Sequence, residues 1–284
     1  MKTLIVPKKY EKKRISNFVL DTFPSLKKSI FYQALRKKDI RVNGKRIHQD
    51  QTIQENDTIT LFIADSFLFS RKLSIVYEDN YILVVDKPVA MEVTGPDSLT
   101  TLVKKSYPHA NPCHRLDRNT TGLVLFAKDY VCLSILLDKF KKKEIEKKYF
   151  AKVYGIPKVE HALLESYLFK DRKKALVYLS DTPKPGYQKI KTEYFLFSKN
   201  LKENTSILSI TLHTGKTHQI RAHLAHIGLP IIGDGKYGDN RINKEFHQTT
   251  QLLDSYSLKF HFVSDSGILQ YLNGKEIQKE CLFS

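Results

Sequence analysis

The chain has 284 residues, 41% of them hydrophobic, enough for a substantial core and too many for a disordered protein. Its formal charge of +17, from 47 Lys+Arg against 30 Asp+Glu, points to a polyanionic partner. No apolar run reaches membrane-span length, the start lacks a signal-peptide pattern, and three cysteines fit neither a disulfide framework nor a zinc site, so a reducing cytoplasm is expected.

Residues 1 to 63 hold 14 Lys+Arg against 6 Asp+Glu, a balance of +8, whereas all the rest of the chain carries +9. Ile15, Phe18 and Val19 recur at helical spacing, and Leu26, Ile30 and Ala34 suggest a second helix opening at Pro24-Ser25. Asn43-Gly44 inside Ile40 to Ile47 is a hairpin signal, and Asp57 to Ile63 alternates like a strand. Lys27, Lys28, Arg36, Lys37, Lys38, Arg41, Lys45 and Arg46 are either a solvated basic face or phosphate contacts. The stretch 64 to 71 has no periodicity, but Phe67, Leu68 and Phe69 should pack somewhere. Two domains are therefore expected, over 1–66 and 72–284.

In the second, Ile75-Val76-Tyr77 and Ile82-Leu83-Val84-Val85 read as strands around a turn. Cys113-His114-Arg115-Leu116-Asp117-Arg118-Asn119-Thr120-Thr121-Gly122 reads as a tight loop feeding the apolar strand Leu123 to Ala127. Asp117 sits between two arginines, whose charges would keep it ionised, as a nucleophile needs; the plainer alternative is a structural ion pair. Tyr130 to Lys143 suggests a helix with Leu133, Leu136, Leu137 and Phe140 on one face and Lys139 and Lys141 to Lys143 at its C-terminal end. Tyr149, Ala151 and Val153 should share one face of a strand. Residues 156 to 210 hold further strand-like runs without visible chemistry. Thr217 would cap a helix from about His218 to Ile227, ended by Gly228. Its histidines, His218, His223 and His226, lack the i, i+4 pair and glutamate of a metalloprotease helix, so no metal site is assigned. Residues 263 to 284 read as a tail.

His114-Arg115-Leu116-Asp117 with Thr120-Thr121-Gly122 resembles the signature of the RluA-type pseudouridine synthases. Three more stretches resemble the same family in its order: Ile75 to Pro88, Lys148 to Gly155, and His213 to Arg221 running into Gly228 to Asp234. Together they span about residues 72 to 262. The first 63 residues resemble the S-four RNA-binding domain, named for a small-subunit ribosomal protein. There are departures. Ala90 and Thr94 stand where the family has Gly and His, and Leu253-Asp254-Ser255 replaces a Leu-His-Ala stretch.

The resemblance implies an α+β protein, in which a small helix-hairpin RNA-binding domain precedes a mixed, mostly antiparallel catalytic sheet. It implies that Asp117 is the catalytic carboxylate, Tyr149 the aromatic that stacks on the target base, and Arg221 the basic partner. Arg115 would help fill the space the base vacates. His114, Thr120, Gly122, Lys87 and Ile220 are the other substrate-binding candidates. The implied reaction breaks the N1–C1′ bond of a uridine, turns the uracil and rejoins it through C5. Nothing is oxidised or added, so no cofactor is expected. Ribosomal RNA of the large subunit is the first expectation for the substrate and transfer RNA the second, for a monomer with no membrane attachment. The rivals are a non-catalytic RNA-binding or ribosome-assembly protein and a metal-dependent hydrolase on the histidine-rich helix.

Overall fold

The computed structural model describes residues 1–68 and 72–283. The chain divides into two compact units, Met1–Lys72 and Leu73–Ser284.

In the first unit, β1 (Lys2–Ile5) is followed by α1 (Ile15–Thr22) and α2 (Lys28–Arg36). Then come β2 (Ile40–Val42), β3 (Lys45–Ile47), β4 (Thr58–Leu61) and a single helical turn, α3 (Asp65–Leu68). The strands form one sheet in the order β1-β4-β2-β3. Asn43 and Gly44 both have positive φ, 49° and 78°, as the two-residue turn demands. The amide of Asn43 also ties the turn to Asp57 at 2.8 Å. Ile15, Phe18 and Val19 enter the core as their spacing predicts. The second helix differs from expectation: it opens at Lys28 and buries Phe31, Ala34 and Leu35, with Ile30 only half-buried. Residues 24–27 lie outside it, because Leu26 caps the core from a turn whose amide bonds Phe23. Leu68 is buried in this core, Phe67 is exposed, and Phe69 lies outside the described residues.

The second unit is built on an 11-stranded sheet. It runs β5 (Ile75–Glu78), β6 (Ile82–Lys87), α4 (Leu99–Val103), β7 (Asn111–Pro112), β8 (Thr121–Ala127) and α5 (Tyr130–Lys141). Next are β9 (Ile145–Tyr154), β10 (His161–Asp171), β11 (Leu176–Ser180), β12 (Gln188–Asn200) and β13 (Thr205–Leu212). The chain ends with α6 (Gln219–His226), α7 (Asn240–Glu245), β14 (Leu253–Phe260) and β15 (Glu276–Gln278). The strand order is β11-β10-β12-β13-β9-β14-β8-β6-β5, with β15 against β14 and β7 against β8. Every pairing is antiparallel except β14 with β8, so the sheet is mixed and mostly antiparallel.

The all-apolar β8 is buried on both faces. Val124 and Phe126 join a core with Tyr149, Ala151 and Val153, while Leu123, Leu125 and Ala127 join another with α5. In α5 the buried residues are Cys132, Leu136 and Lys139; Leu137, expected on the inner face, is 47% exposed. Lys139 stands in the last turn, as expected, but turns inward. Its fully buried ammonium bonds Glu144 at 2.8 Å and the Ser264 hydroxyl at 2.8 Å. The expected tail, residues 263 to 284, is not loose over its described part, 263–283. Leu269 and Leu272, in a 3-10 turn, and Ile277 on β15 enter the α5-side core. Ala90, at a glycine position of the resemblance, keeps the left-handed conformation, φ 60°, that favours glycine.

Candidate active site

The close approach of β8 and β14 positions the Asp117 loop. Gly122 has φ 109°, and a Cβ there would lie 2.3 Å from the Ser255 carbonyl oxygen. Its part is therefore to let two strands meet, and the expectation of a substrate contact is corrected. Lys87 is corrected likewise. It is fully buried, and its ammonium donates to the carbonyls of Pro88 (3.0 Å), Met91 (2.8 Å) and Arg118 (3.0 Å), pinning the loop from below. His114 also turns inward: Nε2 accepts from the Leu125 amide at 3.1 Å and the ring packs on Phe140. Burial holds its pKa well below the ordinary value, so it is a neutral structural imidazole. On the far side, Gln251 donates to Thr120 Oγ1 at 2.8 Å and Thr121 donates to Asp254 Oδ1 at 2.5 Å.

That last contact accounts for the Asp254 departure. Asp254 is fully buried, and Lys279 reaches it from beyond β15 at 2.9 Å while also pairing Asp86 at 2.8 Å. Burial still pushes the Asp254 carboxyl above its ordinary pKa, with Lys279 opposing the shift. The C-terminal segment thus bridges β14 and β6, the two strands that flank β8 after the Asp117 loop.

The loop presents Asp117 to a pocket lined by Arg115, Thr120, Tyr149, His218, Ile220 and Arg221, among others. Of the expected site residues, Arg115, Thr120, Tyr149, Ile220 and Arg221 are brought together with Asp117; Lys87, His114 and Gly122 are not. The counter-ion of Asp117 is not a sequence neighbour. Arg221 Nη1 donates to Asp117 Oδ2 at 3.2 Å, from 104 residues away, whereas the Arg115 and Arg118 side chains are exposed. Arg221 is itself gripped by Asp234, Nε to Oδ2 at 2.7 Å and Nη2 to Oδ1 at 2.8 Å. Burial works against the Arg221 charge, but Asp234, with Asp117 behind it, outweighs burial and raises its pKa. Burial likewise opposes the Asp234 charge, and Arg221 outweighs it and lowers that pKa. A planar guanidinium held on one edge by a buried carboxylate offers the remaining donor in a set direction.

Helix α6 does not begin as expected. Thr217 is not its cap; His218 holds that place with φ 54° and makes no side-chain capping bond. The three histidines have separate partners: His218 meets Tyr237, His223 meets Thr192, and His226 meets Asp181. Tyr149 is buried on the same strand face as Ala151 and Val153, and burial, then the Asp117 charge, raise its pKa, so the ring is neutral. Lys147, two residues earlier on that face, also lines the pocket, and desolvation lowers its pKa to about 8.

Sequence reasoning missed Asp234, Gln251, Tyr237, Lys147 and Lys279, and it considered His218 only as a metal ligand. The quoted Gly233-Asp234 ending was the one usable signal for Asp234. Nothing local marks Gln251 or Lys279, since their importance lies in what crosses to meet them.

The family model described as RNA pseudouridylate synthase matches residues 81–226. A ribosomal large subunit pseudouridine synthase C of Buchnera aphidicola subsp. Baizongia pistaciae is 32% identical, with 88% of this chain and 86% of that protein covered. The protein of the same name from the Schizaphis graminum subspecies is 30% identical, covering 87% and 85%. In fold, the chain is similar to the human RNA Pseudouridylate Synthase Domain Containing 1 structure, at a TM-score of 0.60 and 21% identity over 75% of this chain and 91% of that one. The loop-borne carboxylate, its arginine and the matched length agree: the chain belongs to the RNA pseudouridine synthases, of the RluA type, and is an isomerase.

Proposed function

We propose that this isomerase converts uridines of large-subunit ribosomal RNA to pseudouridine. The relatives at 30% and 32% identity carry that substrate in their names, and the charge of +17 suits an RNA partner. Asp117 is its catalytic carboxylate, acting at C1′. The observation that carries this role is the ion pair with Arg221, which leaves Asp117 partly open to the pocket while holding it in one orientation. Tyr149 supplies a neutral ring for the target base, and Arg115, exposed at the rim, occupies the space from which the nucleotide is drawn. Thr120 and Ile220 shape the pocket walls.

The Met1–Lys72 unit is an S-four-like RNA-binding domain in this reading. Lys27, Lys28, Arg36, Lys37, Lys38, Lys45 and Arg46 are exposed, as phosphate contacts need. Arg41 is half-buried with its guanidinium 4.9 Å from the Phe62 ring centroid, a packing role that leaves it a lesser contact. The enzyme works as a cytoplasmic monomer without a cofactor, since the isomerisation moves no electrons to or from an outside group. Among the described residues no helix is long and apolar enough to cross a membrane.

Mapping pseudouridines in RNA from cells with and without the gene tests the substrate. Sites lost only from large-subunit ribosomal RNA are expected; sites lost only from transfer RNA would replace this assignment.

A further inference from the structure

We infer that His218 is a catalytic group of the isomerisation, whose Nε2 takes the proton that C5 of the turned uracil must lose. The inference rests on the isomerase reading. Two observations carry it: a fixed ring orientation and a reach to the reacting centre. His218 lines the pocket, with its side chain 13% exposed, and its Nε2 lies 3.9 Å from Asp117 Oδ2. That is too long for a hydrogen bond, and both residues line the same pocket, where a substrate atom can rest against the two together. Its Nδ1 is fixed at 2.9 Å by the Tyr237 hydroxyl, and that hydroxyl is fixed in turn by the Val177 amide at 2.8 Å. The Tyr237 oxygen can accept from both Val177 and Nδ1–H, the tautomer that leaves Nε2 free to take a proton. The residue takes the left-handed conformation, φ 54°, at the entry to the helix that carries Arg221.

The chemistry needs such a group. Breaking N1–C1′ leaves the electron pair on the uracil, which turns and attacks C1′ through C5. The new C5–C1′ bond leaves C5 bearing both the sugar and its original hydrogen. That proton must depart, its C–H pair restoring C5=C6, while N1 gains a proton. The sum is a proton moved from C5 to N1, so no oxidant or co-reactant enters. C5 is by then bonded to the carbon that Asp117 serves, so its hydrogen lies in the pocket that His218 lines, where Nε2 is 3.9 Å from Asp117. Tyr149 is a poor acceptor, because a neutral phenol is hardly basic. Asp117 is paired with the Arg221 guanidinium, and taking up the proton would weaken that ion pair. The charged groups around His218 are Asp117, Arg221, Lys236 and Asp234, and burial together with the two cations favours the neutral ring.

The test uses the full-length enzyme and RNA carrying either tritium or deuterium at C5 of the target uridine. His218→Gly suits the positive φ and leaves space for a free imidazole; His218→Asn also tolerates that conformation and covers the case in which the glycine variant folds poorly. In a single turnover at saturating RNA, both variants should lose about 10²- to 10⁴-fold, the usual scale of a positioned base. RNA affinity should stay unchanged. A deuterium isotope effect larger than wild type's should emerge as C5 deprotonation becomes limiting, and imidazole should restore the glycine variant. A full rate in either folded variant would overturn the inference. So would a lost rate without an isotope effect or imidazole rescue, which would make His218 a mere helix entry. Wild-type enzyme that releases no tritium would overturn the isomerase reading along with it.

Discussion

Among the described residues, the Met1–Lys72 unit buries one polar side chain, Ser16, which bonds Asp50, while the Leu73–Ser284 unit buries Lys87, Lys139, Glu144, Arg221, Asp234 and Asp254. In the first unit the cations lie on the surface and the core is apolar. In the second, Lys87, Arg221, Asp234 and Asp254 are tied to the loops and strands around the pocket, while Lys139 and Glu144 anchor the segment at Ser264. An exposed lysine costs the fold little and remains available to a polyanion. A buried charge is tolerated only with partners, and those partners then fix geometry. The contrast suits a division between holding RNA and orienting a reacting carboxylate.

Breaking that contrast at the reacting carboxylate should give the largest effect. Asp117→Asn keeps the shape and loses the negative charge. Turnover in tritium release should fall by about 10⁴-fold or more, with RNA affinity and melting temperature almost unchanged. Multiple turnover by this variant would remove Asp117 from its role.

Asp234→Ala strips Arg221 of the buried carboxylate on its far edge. Urea unfolding of the second unit should show a loss of about 3–5 kcal/mol, the range for orphaning one member of a buried pair. Activity should fall even under conditions where the variant is fully folded, because Arg221 is then free to swing from Asp117.

Removing residues 1–72 sharpens the comparison from the other side. The remaining unit has its own cores and the whole pocket, so single-turnover rates at saturating RNA should fall less than rates at low RNA. Affinity should weaken. Its salt slope should flatten by about 0.7 for each lost single-strand phosphate contact. An unchanged slope in a folded truncation would mean that the basic unit does not grip RNA.

Lys279→Met leaves Asp254 buried without its cation. It should destabilise the second unit by roughly 1–3 kcal/mol, an outcome limited by protonation of the already raised carboxyl. Thermal melts should show the double variant with Asp254→Asn closer to wild type than Lys279→Met alone, since the buried charge is gone.

The smallest effect concerns His223, buried against Thr192, whose pKa burial lowers from 6.5 to about 4. The folded state therefore binds its proton less readily than the unfolded one. The resulting stability is fully present above pH 6.5 and is lost as pH falls through the folded value near 4. Melting temperature should drop across that window, and His223→Gln should show a shallower drop.

Much of the molecule was legible in its residues because the signals were local. The Asn43-Gly44 turn, the alternation that puts Tyr149, Ala151 and Val153 on one face, and the apolar run of β8 each depend on nearest neighbours. The family motifs likewise put Asp117, Tyr149 and Arg221 forward together. What stayed hidden depended on which distant group fills a given space. Arg115 and Arg118 flank Asp117 along the chain, yet a loop directs neighbouring side chains apart, and Arg221 came across from α6 instead. Lys87 and His114 looked like ligands for a substrate, but folding placed carbonyls and an amide within their reach first. The tail of the chain gave no readable pattern because it contributes a few scattered core residues, Leu269, Leu272 and Ile277, and one ammonium between two carboxylates, Asp86 and Asp254, brought together by strand pairing. Backbone propensity and periodicity act over a few residues and are written in the chain. The partner of a buried charge is chosen by tertiary packing, since only the folded structure decides which opposite charge shares its low-dielectric space.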